Sequence, residues 1–524
     1  MQLTWVSLLP PLVVIGAVCI LHQLNISLAL GIVCAALIAT QGQVVPALLL
    51  CMQKFVAHFS DCDNMYLYFL LIVISSLIIL LTLTGSAAGC ARIIGKKMKT
   101  KRSVEMSTIM LSFLLSIDDY LSILTVGFVM RPIVDRVAVA RTKLAYIVHA
   151  LGGPLVIIMP ISTWAAAILA QLDNAGIHLD APNKIIADPF YVYLKTIPFI
   201  FYSVLVVFSV WFVVVTRIGY GLIARDESCA IPFVDKAQDE IMINQEKNHS
   251  LSELLFPIAI LIGGVVIGVL YAGNYHFFGG SNSFVDAFRQ NDKAFLILLL
   301  SSLAAFLFSL FMSLYKRMIS IRQVFVIVYE GASLMQASIG MVVLASILGS
   351  FLRTELQTGS YVAYLLLGTA PLYLIPVILF VVSLIITLTT GSAWGTFSLL
   401  IPIVTQMLIS FLQLETPVSL DQIPILFPSL GAILSGAGCG NHISPIAETT
   451  MMTATSTGIA PLEHARTQFD YIVPVMVGTV ASFIAAGLLC NSSLYRSFFI
   501  SAGVGIFTTA LLMVVFSYGK NRVK

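Results

Sequence analysis

Charged side chains are scarce in this chain of 524 residues. Asp, Glu, Lys and Arg together make up 10% of the sequence, whereas hydrophobic residues make up 59%. Soluble domains carry about 25% charged residues, because a surface exposed to water has to be covered with polar groups. The composition therefore excludes a chain of soluble domains. It predicts an all-α polytopic membrane protein whose main partner is the lipid bilayer.

Several function classes are excluded by motifs that the sequence lacks. A net charge of +3 gives no reason to expect a nucleic-acid partner. The eight cysteines form no C-x-x-C, so neither a disulfide framework nor a zinc site is implied. There is no G-x-x-x-x-G-K-[ST] for ATP, and no H-E-x-x-H or G-x-S-x-G for hydrolysis. We therefore expect neither an enzyme nor a bound cofactor.

Apolar runs long enough to cross a bilayer recur along the chain. One helical span needs about 20 such residues, and about twelve spans are predicted, the third weakened by Lys54 and His58. They lie at 5–22, 26–41, 44–60, 65–90, 144–170, 194–216, 252–272, 294–316, 324–350, 426–455, 470–490 and 497–516. Two further apolar stretches, 104–130 and 362–409, have a polar break in the middle and are predicted to be re-entrant hairpins.

The basic residues predict the orientation, since Lys and Arg are enriched in cytoplasmic loops. Six of them lie between Arg92 and Arg102 and four more between Arg131 and Lys143, so both groups favour the same side. A hairpin at 104–130 satisfies this condition, whereas a single crossing does not. With both termini in the cytoplasm, 21 Lys and Arg residues fall inside and 6 fall outside.

The order of these elements occurs twice. Residues 65–216 and 324–490 each contain a span, a broken hairpin and a broken span, and by parity they enter the membrane from opposite sides. Inverted repeats with interrupted helices are typical of secondary transporters, whose binding site lies at the repeat interface. The remaining predicted segments are scaffold helices at 1–64 and 252–323, a flexible cytoplasmic linker at 217–251, and a C-terminal helix with a cytoplasmic tail at 491–524.

Four polar breaks interrupt the apolar segments and are predicted to converge. Unwound backbone at membrane depth is tolerated only where protein buries it or where it lines a wet cavity. The expected coupling and cavity residues are Asp118, Asp119, His149, Pro160, Ser162, Thr163, Thr390, Gly391, Ser392, Asn441, His442, Ser444, Pro445, Glu448 and Thr449. Their oxygens are the ligand type that a hard cation such as Na⁺ prefers.

The adjacent Asp118 and Asp119 are the strongest indication of function. A carboxylate near the bilayer centre costs about 2.5–3.5 kcal/mol, so two of them need a compensating role in binding a cation or a proton. The alternative is a simple turn at a hairpin tip in the aqueous interface. Glu448 and His442 are further candidates for cation or proton coupling. The predicted ligands of transported Na⁺ are Asp118, Asp119, Ser392, Asn441 and Glu448.

The interrupted segments resemble those of the NhaC-type Na⁺/H⁺ antiporter family, within the ion transporter superfamily. The matching stretches are DDYLSILTVGFVMRPIVD at 118–135, RTKLAYIVHALGGPLVIIMPISTW at 141–164, TGSAWGTFSLLIPI at 390–403 and SGAGCGNHISPIAETT at 435–450. The resemblance covers residues 65–490 and implies an elevator-like alternating-access antiporter of a bacterial inner membrane. Elevator carriers are often dimers, so a homodimer is an expected assembly.

The chain departs from the family pattern at three positions. Family members usually have Asp at the position of His149, G-D-H at Gly440–His442, and S-D-T-T at Ala447–Thr450. The resemblance implies a cation/proton antiporter, in which Na⁺ and H⁺ compete for the same carboxylate. The neutral Asn441 and His149 keep a second hypothesis open, a Na⁺- or H⁺-coupled transporter or exchanger of a small organic acid or amino acid. The third hypothesis is a channel or a membrane scaffold without transport, although neither needs inverted repeats or an adjacent pair of aspartates.

Overall fold

The computed structural model is almost entirely helical, and it describes residues 5–21, 23–85, 100–179, 185–232, 252–289, 293–367 and 369–520. The first α-helices are α1 Leu9–Leu21, α2 Leu24–Ala39, α3 Val44–Ser60, α4 Cys62–Leu83, α5 Lys101–Leu114, α6 Asp119–Arg136, α7 Arg141–Ile158, α8 Thr163–Asn174, α9 Pro189–Thr196, α10 Phe201–Thr216 and α11 Gly221–Cys229. The later ones are α12 Ser252–Ala272, α13 Phe284–Arg289, α14 Ala294–Tyr315, α15 Ile321–Ser350, α16 Thr358–Leu366, α17 Ile375–Thr390, α18 Ala393–Phe411, α19 Leu426–Ile443, α20 Glu448–Thr457, α21 Pro461–Leu488 and α22 Leu494–Lys520.

The helices confirm a polytopic membrane protein. Nine helices among the described residues are long and apolar enough to cross a membrane. The number is ten if α7 and α8, which are bent by 41° relative to each other, form one span. Seven of the twelve predicted spans are among these nine, and the other two are the arms of the second predicted hairpin. Of the five missing spans, 144–170 is the bent pair, 426–455 is divided into α19 and α20, and the first three correspond to α1, α2 and α3, which have only 13, 16 and 17 residues. At 1.5 Å per residue they reach about 20–26 Å, less than the ~30 Å hydrocarbon core.

Each predicted polar break separates two helices. The breaks lie at 115–118, 159–162, 391–392 and 444–447. A polar side chain caps the helix after each of the first three, because the first backbone N–H groups of a helix lack partners. The side-chain oxygens of Asp118, Ser162 and Ser392 accept from the backbone N–H of Leu121, Ala165 and Gly395 at 3.0, 3.0 and 3.2 Å. The sequence therefore specifies where three of the four following helices begin, whereas α20 starts after Ala447 without a side-chain cap.

The second hairpin differs from the predicted 362–409. Residues 362–366 belong to α16, which is separated from the hairpin by Pro371, and the arms of the hairpin are α17 and α18. A proline disfavours the helical conformation of the residue before it, which explains this boundary. The turn lies at Gly391, whose φ of +70° suits glycine best. Together with the 3₁₀ turn Leu372–Leu374 before it, α17 forms a candidate span of 19 residues, and α18 is another of the same length.

Other predicted boundaries are also wrong by a few residues. The predicted span 194–216 is divided into α9, a 3₁₀ turn at Ile197–Phe199 and α10, because Pro198 interrupts the helix. The span predicted at 470–490 begins at Pro461, which suits the first turn of a helix. Within the predicted flexible linker, α11 is helical and packs against α21. Residues 233–251 and the basic positions 92–99 lie outside the described residues.

The two units predicted from the order of elements, 65–216 and 324–490, are in contact through their broken helices. The half-helix α8 of the first unit packs against the hairpin arm α18 of the second, and α20 of the second unit packs against α6 of the first. Every residue of α19 is buried, whereas only 28% of the apolar window of α12 and of α22 is buried. The broken helices thus form the centre of the molecule, and the continuous apolar helices surround them.

A small parallel sheet joins the loops of the two units at one end of the bundle. The strands are β1 Ile177–His178, β2 Ile185–Ile186 and β3 Val418–Ser419, in the order β1-β2-β3. Ile185 pairs with Ile177 on one side and with Val418 on the other. The all-α prediction missed these strands because two-residue strands leave no periodic pattern in a sequence.

Candidate functional site

A cavity of about 90 Å³ lies where four helix N-termini meet. The first residues of α6, α8, α18 and α20 all line it. The complete lining is Asp118, Asp119, Tyr120, Thr163, Trp164, Met335, Ser338, Met341, Gly391, Ser392, Ala393, Trp394, Asn441, Glu448 and Thr449. The four polar breaks therefore converge, as their sequence predicts.

Eight of the residues predicted for the site line this cavity. They are Asp118, Asp119, Thr163, Gly391, Ser392, Asn441, Glu448 and Thr449. The other seven, His149, Pro160, Ser162, Thr390, His442, Ser444 and Pro445, lie outside the lining. The roles of the eight in binding a cation or a proton stay predictions, whereas their assembly in one place is a property of the fold.

Asp118 has a structural role as well as a place in the cavity. One carboxylate oxygen accepts from the Leu121 N–H and caps α6, and the other accepts from the Thr163 hydroxyl at 2.9 Å. The backbone N–H of Thr163 donates to the Ile117 carbonyl at 3.2 Å. Asp118 is completely buried. It therefore joins the hairpin tip to the start of α8.

Asp119 and Glu448 are the carboxylates at the first positions of α6 and α20. Asp119 is 3% exposed, whereas Glu448 is exposed. Their charges and that of Asp118 are close enough to interact. Tyr120 also lines the cavity, with its side chain next to Glu448. Sequence reasoning did not include Tyr120, although its position directly after the aspartate pair could have identified it.

Asn441 and Thr449 form the polar wall from the second repeated unit. The side-chain amide of Asn441 donates to the Thr449 hydroxyl at 3.1 Å. His149 Nε2 lies 3.1 Å from the same hydroxyl, on its far side from the cavity. His149 is therefore one hydrogen bond away from the cavity and does not line it.

A buried histidine cluster lies behind Thr449. His149 Nδ1 is 2.8 Å from His464 Nε2 and 3.2 Å from the Gln468 side-chain oxygen. His442 packs edge-on against His149, with ring centroids 4.4 Å apart, and its Nδ1 is 2.7 Å from the Tyr202 hydroxyl. The three rings are at most 1% exposed. The prediction that His442 couples protons is untested, but its position is behind the cavity.

The five remaining predicted residues shape the breaks. Ser162 caps α8 and donates to the Val156 and Met159 carbonyls, both at 3.1 Å. The Thr390 hydroxyl accepts from the Ser392 N–H at 3.3 Å, and the Ser444 hydroxyl donates to the Leu388 carbonyl at 3.1 Å. Pro160 and Pro445 have no N–H to donate and lie where the helices stop. These contacts hold unwound backbone in place.

The cavity combines three carboxylic acids with no lysine, arginine or histidine in its lining. The N-terminus of a helix carries a partial positive charge of about half an elementary charge, and four of them point here. They favour the ionised form of the acids but do not neutralise them. A bound cation or proton would complete the charge balance.

The opposite wall of the cavity is apolar. Trp164 and Trp394 meet edge to face with ring centroids 5.8 Å apart, and Met335 and Met341 of α15 face them. Each tryptophan follows a capping serine by two residues, in Ser162-Thr163-Trp164 and Ser392-Ala393-Trp394. This shared S-x-W spacing is a signal that could have identified the pair. Nothing in the sequence of α15 distinguishes its two methionines.

Comparison with known proteins agrees with this architecture. The model of a family described as the Na⁺/H⁺ antiporter family matches residues 183–488. A protein of Haemophilus influenzae, described only as uncharacterized, is 26% identical over 522 residues, which are 98% of this chain and 95% of that one.

Two solved transporter structures are also similar. The YdaH transporter of Alcanivorax borkumensis is 13% identical with a TM-score of 0.53, over 84% of this chain and 88% of that one. At this identity the likeness shows a shared fold. MtrF of Neisseria gonorrhoeae, a member of a class of antimetabolite efflux pumps, is 12% identical with a TM-score of 0.46, over 92% of this chain and 85% of that one.

Proposed function

The chain belongs to the Na⁺/H⁺ antiporter family, and on that premise we propose that it exchanges Na⁺ for H⁺ at the cavity between the broken helices. It is a secondary transporter, and the proposal assigns the exchange to particular residues. Asp119 and Glu448 bind either the cation or protons. Asp118, Ser392, Asn441 and Thr449 supply the surrounding oxygens.

One observation carries this proposal, namely the uncompensated acids in a largely buried cavity. Asp118 and Asp119 are almost completely buried, no basic side chain lines the cavity, and Glu448 adds a third carboxyl group. An unpaired buried charge is costly, so the two buried aspartates favour a proton or a cation beside them, and the exposed Glu448 adds negative charge at the same place. Because one carboxylate cannot hold both at full occupancy, loading Na⁺ releases H⁺, and this competition produces exchange.

The size of the cavity favours a cation over an organic solute. A cavity of about 150 Å³ accommodates benzene, whereas this one measures about 90 Å³. A Na⁺ ion with a few waters has less bulk than an amino acid or a carboxylic acid of several carbons. The second hypothesis, an organic acid or amino acid as cargo, would therefore need a wider state of the same site.

Proton flux in proteoliposomes with an imposed pH gradient tests the proposal. Na⁺, Li⁺ and K⁺ are added in turn to wild type and to Asp119→Asn. We expect proton movement driven by Na⁺ or Li⁺, an apparent KM for Na⁺ that falls as the pH rises, and loss of exchange in the variant. Full pH-dependent exchange by Asp119→Asn would contradict the assignment. No response to any cation would favour an organic cargo, to be tested in the same vesicles.

The finer family assignment and the cellular setting are part of the same proposal. The segments around Asp118 and Asn441 support an NhaC-type member of a bacterial inner membrane, and the distribution of Lys and Arg supports a cytoplasmic location of both termini. The interlocked broken helices would move together as one body against the surrounding helices, as an elevator requires. A homodimer would provide a fixed frame for that movement.

A further inference from the structure

We propose that His149 and Gln468 are positioning residues that turn the hydrogen of the Thr449 hydroxyl away from the cavity, so that its oxygen faces the cargo. This inference rests on the proposed cation exchange. It adds that a chain of buried hydrogen bonds supports the binding of the cation. The participants come from α7, α21, α19 and α20, and they lie directly behind the polar wall of the cavity.

The side-chain oxygen of Gln468 can only accept a hydrogen bond, and this property determines which atoms donate along the hydrogen-bond chain. The side-chain nitrogen of Gln468 donates to the His442 carbonyl at 2.6 Å, which fixes the amide so that its oxygen faces His149 Nδ1 at 3.2 Å. A carbonyl oxygen has no hydrogen to give. An amide oxygen 3.2 Å from a bare ring nitrogen would bring two lone pairs together, so we assign the hydrogen to His149 Nδ1, which shares it between this oxygen and His464 Nε2 at 2.8 Å. His464 then carries its own hydrogen on Nδ1, a buried atom without a hydrogen-bond partner among the described residues.

The tautomer of His149 then determines the state of the Thr449 hydroxyl. A neutral imidazole with hydrogen on Nδ1 has a bare Nε2, which can only accept. This Nε2 lies 3.1 Å from the Thr449 oxygen, so the hydroxyl donates to it. Asn441 donates to one lone pair of the same oxygen at 3.1 Å. One lone pair remains for the cavity that Thr449 lines.

The opposite tautomer would reverse this arrangement. A hydrogen on His149 Nε2 would occupy the last lone pair of the Thr449 oxygen, and the hydroxyl hydrogen would have to turn elsewhere, including towards the cavity. A donor facing the cavity repels a cation, whereas an oxygen lone pair attracts it. A neutral histidine thus supports cation binding without touching the cation, and Gln468 selects the tautomer that does so.

The test separates positioning from folding by the kind of substitution. His149→Leu and Gln468→Leu remove hydrogen bonds, whereas His149→Gln keeps one acceptor for Thr449 and one donor for Gln468. We expect the KM for Na⁺ or Li⁺ to rise about tenfold in both leucine variants, with Vmax within threefold of wild type, and the KM of His149→Gln to stay within threefold. His58→Gln is the control, a buried histidine that bonds Tyr68 and Asn64 away from the cavity.

A double substitution gives the decisive result. In a Thr449→Val background the hydroxyl is absent, so His149→Leu should cause no further rise in KM. A further tenfold rise there, or a fall in Vmax with unchanged KM, would overturn the inference and indicate a packing role.

A spectroscopic measurement keeps the inference testable if wild type shows no exchange, which would refute the proposed function alone. ¹⁵N solid-state NMR of histidine-labelled protein in liposomes should show His149 protonated on Nδ1 in wild type, with Nε2–H signal gained in Gln468→Leu. A wild-type His149 protonated on Nε2 would overturn the inference.

Discussion

At the residue scale, the two adjacent aspartates have different roles. Asp118 caps α6 and also accepts from Thr163, whereas Asp119 is the first residue of that helix and no cap. Asparagine caps a helix about as well as aspartate, and losing a cap costs about 1 kcal/mol. We expect Asp118→Ala to unfold at lower temperature than Asp118→Asn in thermal melts of the purified protein. Asp119→Ala, which removes no cap, is the control and should melt close to Asp119→Asn.

Equal melting temperatures for Asp118→Ala and Asp118→Asn would show that the cap does not limit stability. Exchange measured on the same proteins gives an independent result. Both Asp118→Asn and Asp119→Asn remove a charge from the cavity, so we expect both to lose cation-driven proton flux. Only the alanine at position 118 should also lower the melting temperature.

The sequence could predict the acidic residues of the cavity but not the buried hydrogen-bond chain behind its polar wall. Asp118, Asp119 and Glu448 are identifiable because ionisable groups in apolar segments are costly. His464 and Gln468 follow His149 by 315 and 319 residues, and they lie on an ordinary span. Their function depends on a contact between distant segments, which no local pattern encodes.

At the scale of single elements, the glycines of α19 decide how closely the second hairpin packs. Gly436 and Gly440 are four residues apart and face α17, an arrangement that lets two membrane helices approach closely. A Cβ atom at Gly440 would lie 2.6 Å from Thr387 Cβ and 2.8 Å from the Leu384 carbonyl. Because backbone has to move, Gly440→Ala should displace α17, whose end carries the Gly391 turn.

We expect Gly440→Ala to lower the melting temperature, by an overpacking cost of about 1–3 kcal/mol, and to reduce exchange by displacing Ser392. Gly438→Ala in the same helix is the matched control. Its Cβ would lie 2.9 Å from the flexible end of the Ile157 side chain and 3.8 Å from the Tyr202 ring, without a backbone atom in the way. If both variants behaved alike, the close contact between α19 and α17 would not explain this glycine run.

Element positions followed from the sequence better than element ends did. The breaks were predictable because Pro, Gly and capping side chains interrupt apolar runs at Asp118, Ser162 and Ser392. The limits of 362–409 and 194–216 were not predictable, because a proline in a largely apolar stretch does not by itself end a helix. Pro371 and Pro198 lie at helix boundaries, whereas Pro132 lies inside a continuous helix. Hydrophobicity alone does not reveal where such a stretch changes direction.

At the scale of the whole molecule, the sequence predicts that two similar units exist but not how they combine. The order of elements is visible along the chain. The exchange of half-helices, with α8 on α18 and α20 on α6, depends on the three-dimensional approach of the units. This exchange explains why every break contributes to one cavity. It also means that moving one hairpin displaces the half-helix of the other unit.

Two exposed native cysteines test the proposed orientation of the whole chain. Cys62 opens α4 and Cys229 ends α11, and both are exposed. The proposed topology places Cys62 outside and Cys229 in the cytoplasm. With the other seven cysteines replaced in each variant, a membrane-impermeant maleimide should label Cys62 in intact spheroplasts, and Cys229 only after permeabilisation. The reverse pattern would invert the topology, and labelling of both from one side would mean that the span count between them is wrong. Since α1, α2 and α3 are shorter than a full span, Cys62 reports directly on whether these three helices still carry the chain across the membrane.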